Sequence, residues 1–232
     1  MRIYIGYDPR DSNAYKACTE SLLKYASIDV EIIPLIDKTL RDQGIYYRGY
    51  RVDGTGQMWD DRDGRPFSTL FSFTRFAVPL IEDYRSDWVL FMDADMMWRG
   101  DIADLVAEID QTKGVMCVQH EQNVDGERLK MDGVIQNPNT HGRKNWSSLM
   151  LIKPSLCTQM TQYALNNMTG EWLHSLLWIQ DDLVGSLPEE WNYLVGYSDP
   201  KINPKIVHHT LGTPDMVGKT EYDEEWWSYV TS

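Results

Sequence analysis

The chain has 232 residues, enough to bury a sizeable core within one domain. Its 42% hydrophobic and 25% charged content is that of an ordinary globular protein, and no run approaches the roughly 20 apolar residues that a bilayer span requires. A net charge of −13 without a basic stripe excludes non-specific nucleic-acid binding, which relies on clustered Lys and Arg. An acidic chain can still take a phosphorylated ligand if a metal ion or a local Arg supplies positive charge.

Residues 1–8 read as a strand and turn rather than a leader, so cytoplasmic residence is expected. Within them, 3–7 form the first strand. Asp11, Ser12 and Asn13 offer caps for a helix over 14–25, in which Ala14, Cys18, Leu22 and Tyr25 recur at helical spacing. Residues 30–35 read as a second strand. Strand, helix and strand at this spacing predict a parallel pair and a three-layer α/β domain. Residues 41–66 break the rhythm: Gly44, Gly49, Gly54, Gly56 and Gly64 lie among aromatic and charged side chains, a long loop of the functional kind.

The helical pattern of 68–84 contains Pro79, which marks a kink or a new first turn. Residues 88–92 are a short apolar strand. Asp101 can cap a helix carrying Ile102, Leu105, Val106 and Ile109 on one face. Residues 115–118 and 149–152 read as buried strands, and the polar stretch 121–145 between them as a second loop. Helical stretches are expected over 156–166 and 171–177, a strand over 205–209, and an acidic, aromatic tail over 221–232. No repeat or linker divides the chain, so a single domain over 1–232 is expected. Cys18, Cys117 and Cys157 are scattered in apolar stretches, which predicts buried thiols rather than a disulfide framework.

The strongest chemical signal is Asp93-Ala94-Asp95 at the end of the apolar run Trp88-Val89-Leu90-Phe91-Met92. Residues i and i+2 of an extended chain project to one side, so the two carboxylates can converge, with Ala94 leaving space between them. An arbitrary Asp-x-Asp is more often one cap and one solvated residue. Here Met96 and Met97 continue the apolar context, where two carboxylates are costly unless paired or metal-bound. Carboxylate oxygens suit Mg²⁺ or Mn²⁺, and an added imidazole tilts the choice toward Mn²⁺. His208 and His209 are the candidates, and alternation allows only one of them to face a given site.

Five stretches in order now carry a resemblance: residues 3–8, Phe73-Thr74-Arg75-Phe76, residues 91–95, Gln180-Asp181-Asp182-Leu183 and His209-Thr210-Leu211-Gly212. The sequence resembles the GT-A fold glycosyltransferases, in particular family 8 and its bacterial and viral relatives. The resemblance implies a GT-A, Rossmann-like α/β/α fold with a mixed, mostly parallel central sheet. It also implies transfer of a sugar from a nucleotide-diphosphate donor to a glycan or other hydroxyl acceptor, with retention of configuration. Asp93, Asp95 and His209 would hold Mn²⁺ (or Mg²⁺). Ile5, Tyr7 and especially Asp8, at the end of the first strand, would meet the donor nucleotide, and Tyr15 would stack on its base. Arg75, Ala94 and Gly212 would lie along the donor, with Gln180, Asp181 and Arg75 near the reacting carbon.

Each assignment has a plainer alternative. Arg75 on a helix can pair with a surface carboxylate, Asp8 can form a turn before Pro9, and Gln180-Asp181-Asp182 can be a polar helix end. The pattern also departs from family 8 in two places. Asp215 stands where a diphosphate-binding lysine is usual, and Trp146-Ser147-Ser148 replaces Asn-Ser-Gly. A non-catalytic sugar- or nucleotide-binding protein on the same fold therefore remains the alternative. The stretches 41–66 and 121–145 are the candidate lids.

Overall fold

In the computed structural model, residues 1–121, 129–130, 134–135 and 143–231 are described. In chain order the strands begin with β1 (Arg2–Tyr7), β2 (Glu31–Ile36), β3 (Tyr50–Val52), β4 (Met58–Asp60) and β5 (Pro66–Phe67). There follow β6 (Val89–Met92), β7 (Met96–Trp98), β8 (Val115–Val118), β9 (Leu129–Lys130) and β10 (Val134–Ile135). The last four are β11 (Leu149–Ile152), β12 (Val184–Leu187), β13 (Tyr193–Leu194) and β14 (Ile206–His208). The helices are α1 (Ser12–Tyr25), α2 (Asp37–Asp42), α3 (Phe71–Thr74), α4 (Val78–Ile81), α5 (Ile102–Ala107), α6 (Gln162–Asn167), α7 (Gly170–His174), α8 (Pro214–Val217) and α9 (Asp223–Val230).

The four-residue apolar runs behave as a buried sheet requires. β6, β8 and β11 are buried at every position and form its middle, in the order β12-β8-β11-β6-β1-β2. β1 is parallel to both β2 and β6, and β12 is parallel to β8, whereas β11 is antiparallel to β6 and β8. The sheet is thus mixed, with one reversed strand. Alternate side chains fill two cores. Tyr4, Phe91, Cys117 and Met150 meet Leu40, Phe76, Leu165 and Leu173 on one face. Ile3, Ile5, Leu90, Met92 and Leu149 meet Ala14, Cys18 and Leu22 of α1, with Ile102 and Leu105 of α5, on the other. Helices therefore cover both faces. A bare Cα at Gly6 allows this closeness, since a Cβ there would lie 2.5 Å from the Phe71 ring.

A smaller sheet, β13-β14-β7, continues from the first, because β6 and β7 are separated only by the turn Asp93-Ala94-Asp95. The aromatic tail covers it: Trp226 of α9 is buried with Met97, Tyr193, Val207 and Ala17. The stretch expected to be a long loop, 41–66, is a folded unit instead, with β3, β4 and β5 pairing antiparallel. It is anchored by Arg48, whose guanidinium grips Asp60 at 2.5 and 2.8 Å and donates to the Met168 carbonyl at 2.7 Å. The second stretch expected to be a loop, 121–145, lies for the most part outside the described residues. The expected helix over 68–84 is broken into α3, a 3₁₀ turn at Arg75–Ala77 and α4, with Pro79 in the first turn of α4. Cys18, Cys117 and Cys157 are free and buried. No helix among the described residues is long and apolar enough to cross a membrane.

Candidate functional site

The junction of the two sheets creates the site. β6 belongs to one sheet and β7 to the other, so the chain must turn between them, and the two aspartates sit on that turn. Both are nearly buried, Asp93 at 7% exposure and Asp95 at 5%. The Asp93 amide donates to the Ser148 carbonyl at 2.8 Å, and the Asp95 carbonyl accepts from the His209 amide at 2.9 Å. These bonds tie the turn to the neighbouring strand ends, β11 on one side and β14 on the other. The carboxylates converge because of this turn, not because of the extended i, i+2 spacing expected from sequence.

Arg75 is brought against Asp93 from the broken helix. Its Nη2 lies 3.0 Å from Asp93 Oδ1 and its Nη1 3.2 Å from Oδ2, while Nη1 also donates to the Ser147 carbonyl at 3.0 Å. The Arg75 side chain is only 7% exposed, with its guanidinium over the Phe91 ring. The bidentate grip fixes the carboxylate's orientation yet leaves each oxygen a second lone pair.

The imidazole that meets the two carboxylates is His208's, although the resemblance pointed to His209. The last residue of β14, His208, has its Nε2 3.3 Å from Asp95 Oδ1. Asn192 sets its tautomer. The Asn192 amide nitrogen donates to Ser148 Oγ at 3.0 Å, so its carbonyl oxygen faces His208 Nδ1 at 2.8 Å. Nδ1 then carries a proton, and in the neutral ring Nε2 turns a lone pair toward a carboxylate. Two such acceptors face one another favourably only across a cation or a second proton. Asp93, Asp95 and His208 offer ligand atoms within 4.8 Å of one another. Two carboxylates and an imidazole are a donor set that fits Mn²⁺ or Mg²⁺. The neighbouring His209 is fully buried on the alternate face, with its amide committed to Asp95.

A cleft opens beside this group, lined by Ser72, Arg75, Asp93, Ser147, His174 and His208 among others. Ser68, Thr69, Ser148 and Thr210 add hydroxyls to its wall, and Phe67, Phe71 and Phe73 add apolar surface. Behind it His120 is buried, and burial together with nearby His208 pushes its pKa down to about 4 against the pull of a hydrogen bond with the Asn192 backbone.

The other expected residues stand elsewhere. Ile5 and Ala94 are core residues, at 0% and 1% exposure. Tyr7 and Tyr15 pack edge to face at 5.2 Å and do not line the cleft. Asp8 is committed: Arg10 Nε and Nη2 hold its two oxygens at 3.0 and 2.6 Å, and the Leu70 amide donates to it at 3.0 Å. Burial works to raise the Asp8 carboxyl, but these hydrogen bonds outweigh it and hold its pKa below the ordinary value. Gly212 occupies φ +121, where a Cβ would meet Val217 at 2.7 Å, so its role is in the turn. Gln180 and Asp181 are exposed and absent from the cleft wall, and Asp181 pairs with Arg143 at 2.9 Å. Asp215, at the position of the usual lysine, accepts from Asn13 at 2.9 Å and Thr213 at 2.6 Å. Sequence reasoning gave no site role to Asn192, Ser147 or His174, because a lone Asn, Ser or His in a short turn or at a helix end carries no periodic or spacing signal.

The chain matches no family model. Among solved structures, the apo-form glycosyltransferase GlyE of Streptococcus pneumoniae TIGR4 superposes with a TM-score of 0.58 at 16% identity, over 100% of this chain and 60% of that one. The galactosyltransferase LgtC, in complex with donor and acceptor sugar analogs, gives 0.56 at 11% identity, over 100% and 95%. The bifunctional glycosyltransferase WbbM gives 0.54 at 13% identity, and this chain spans only 52% of it. These likenesses show a common fold, the GT-A type. A nearer relative exists by sequence: Protein CDI of Arabidopsis thaliana is 39% identical over 236 residues, covering 97% of this chain and 84% of that protein. Identity of that degree along nearly the whole length makes this chain a member of the Protein CDI family, carried on a GT-A fold.

Proposed function

We propose that the chain is a metal-dependent glycosyltransferase, which moves a sugar from a nucleotide-diphosphate donor to a glycan or other hydroxyl acceptor. The observation that carries this reading is the junction of Asp93, Asp95 and His208 at the end of a GT-A sheet, with Asp93 and His208 on the wall of a hydroxyl-lined cleft. The ordered motifs support chemistry of the family 8 type. Asp93, Asp95 and His208 would hold the Mn²⁺ or Mg²⁺. When bound, the ion supplies Lewis-acid neutralisation of the departing diphosphate.

This chain's residues contribute pre-organisation. Arg75 fixes Asp93, and Asn192 fixes the ring of His208, so little reorganisation is needed as charge develops. In the transfer, the anomeric bond to the phosphate oxygen breaks and a bond to the acceptor oxygen forms. The acceptor's proton passes to the leaving phosphate oxygen. Retention is supported by the cleft wall, where Asp93 is the sole carboxylate among the described residues and is already engaged by Arg75. An inverting enzyme needs a carboxylate base there. Gln180 and Asp181, which the resemblance sets near the reacting carbon, lie exposed outside the wall of this cleft.

Calorimetric titration of nucleoside diphosphates with and without Mn²⁺ tests the reading. One nucleotide is expected to bind in the presence of metal, and Asp95→Ala is expected to weaken that binding at least tenfold. Absence of binding by the wild type in every condition would overturn it.

A further inference from the structure

His174, the last residue of α7, lines the cleft. Its ring is held edge to face against Phe76, with centroids 5.1 Å apart, and tilted against Phe73 at 5.8 Å. Nδ1 lies 3.0 Å from Ser147 Oγ, and the backbone carbonyl of Ser147 accepts from Arg75. The ring is therefore positioned by the segment that also positions the Asp93 clamp. Among the described residues no hydrogen bond satisfies Nε2, although the side chain borders the cleft.

We propose that His174 is a specificity-determining residue of the cleft, its Nε2 sharing a hydrogen bond with one hydroxyl of the sugar carried by the donor.

Three features select a sugar hydroxyl over a phosphate. Burial, with Arg75, Arg48 and Lys144 nearby, lowers the imidazole's pKa well below its ordinary value, so the ring is neutral and offers no charge to an anion. A neutral ring has one donor and one acceptor. If Nδ1 donates to Ser147 then Nε2 accepts, and if Nδ1 accepts then Nε2 donates. A hydroxyl satisfies either tautomer, whereas a phosphate oxygen can only accept. The surroundings agree, since Ser72 and Thr69 supply further hydroxyls while Phe71 and Phe73 supply apolar surface for the carbon-bound hydrogens of a sugar ring.

The inference rests on the glycosyltransferase reading, and the test separates the two. UDP, GDP, UDP-glucose, UDP-galactose and GDP-mannose are titrated in Mn²⁺ against the wild type, His174→Phe, His174→Gln and Ser147→Ala. The expected result is that His174→Phe binds the free nucleotide within twofold of wild type but loses about tenfold on the matching sugar nucleotide, as for one neutral hydrogen bond. His174→Gln should recover part of that loss. Should His174→Phe fail to fold, Ser147→Ala, which frees the ring to turn, is expected to show the same selective loss to a smaller degree. Equal losses on nucleotide and sugar nucleotide, or no loss on either, overturn the role of His174 while leaving the transferase reading intact. A wild type that binds none of the five overturns both.

Discussion

At the scale of single residues, the site is governed by which atoms already have partners. Asp8 is held by a guanidinium and two amides, so nothing remains of it for a nucleotide base. His208 is in the opposite position, with one nitrogen fixed by Asn192 and the other directed at Asp95. Asn192 thus acts through His208 rather than on a substrate. Replacing it with the near-isosteric Leu removes the tautomer control and leaves the ring in place. Asn192→Leu is expected to weaken Mn²⁺ binding by about 10- to 100-fold, the range seen when metal ligands lose their outer hydrogen bonds. Electron paramagnetic resonance of free Mn²⁺ during titration reads this directly, and unchanged affinity would remove Asn192 from the metal site.

At the scale of elements, the small sheet β3–β5 shows how a charged segment becomes ordered. Its glycines and charges read as loop because no strand in it exceeds three residues. What orders it is distant in sequence: Arg48 reaches Asp60, the carbonyls of Leu165 and Met168, and the face of Phe73 at 4.3 Å. Arg48 and Asp60 are each 1% exposed. Removing one partner of such a pair leaves a buried charge uncompensated. Arg48→Met is expected to cost about 3–5 kcal/mol in urea unfolding, and the double replacement Arg48→Met with Asp60→Leu is expected to recover part of it. A cost under about 1 kcal/mol for the single variant would mean that the sheet is anchored by other contacts.

At the scale of the whole molecule, the net charge of −13 coexists with an interior that works against the charging of His120 and His174. His120 is held down to about 4 from an ordinary value of 6.5. Between those values the unfolded chain binds more protons than the folded one. Stability is therefore complete above about pH 6.5 and is lost progressively as the pH falls toward about 4, by roughly 3 kcal/mol from this group. His174 acts in the same direction. Unfolding free energy measured across that window in metal-free buffer should fall with acid for the wild type, and His120→Gln should flatten the slope. A parallel slope in the variant would assign the acid loss to other groups.

The sequence by itself determined the local elements and the kind of chemistry. Apolar runs at 3–7, 88–92, 115–118 and 149–152 became central strands, Asp101 became the cap of α5, accepting from the Ala103 amide at 2.9 Å, and the isolated carboxylate pair marked the site. Those features depend on neighbours a few residues away, so local periodicity and capping express them. Tertiary structure decided everything that depended on partners far along the chain. It placed His208 rather than His209 with the carboxylates, because the pairing of β14 with β7 sets which face each histidine takes. It joined Arg75 to Asp93, closed Asp8 onto Arg10, left Gln180 and Asp181 at the surface, and brought Asn192, Ser147 and His174 to the site from separate segments. Side-chain direction and hydrogen-bond commitment are set only when strands distant in sequence pair and register, and no local pattern encodes them.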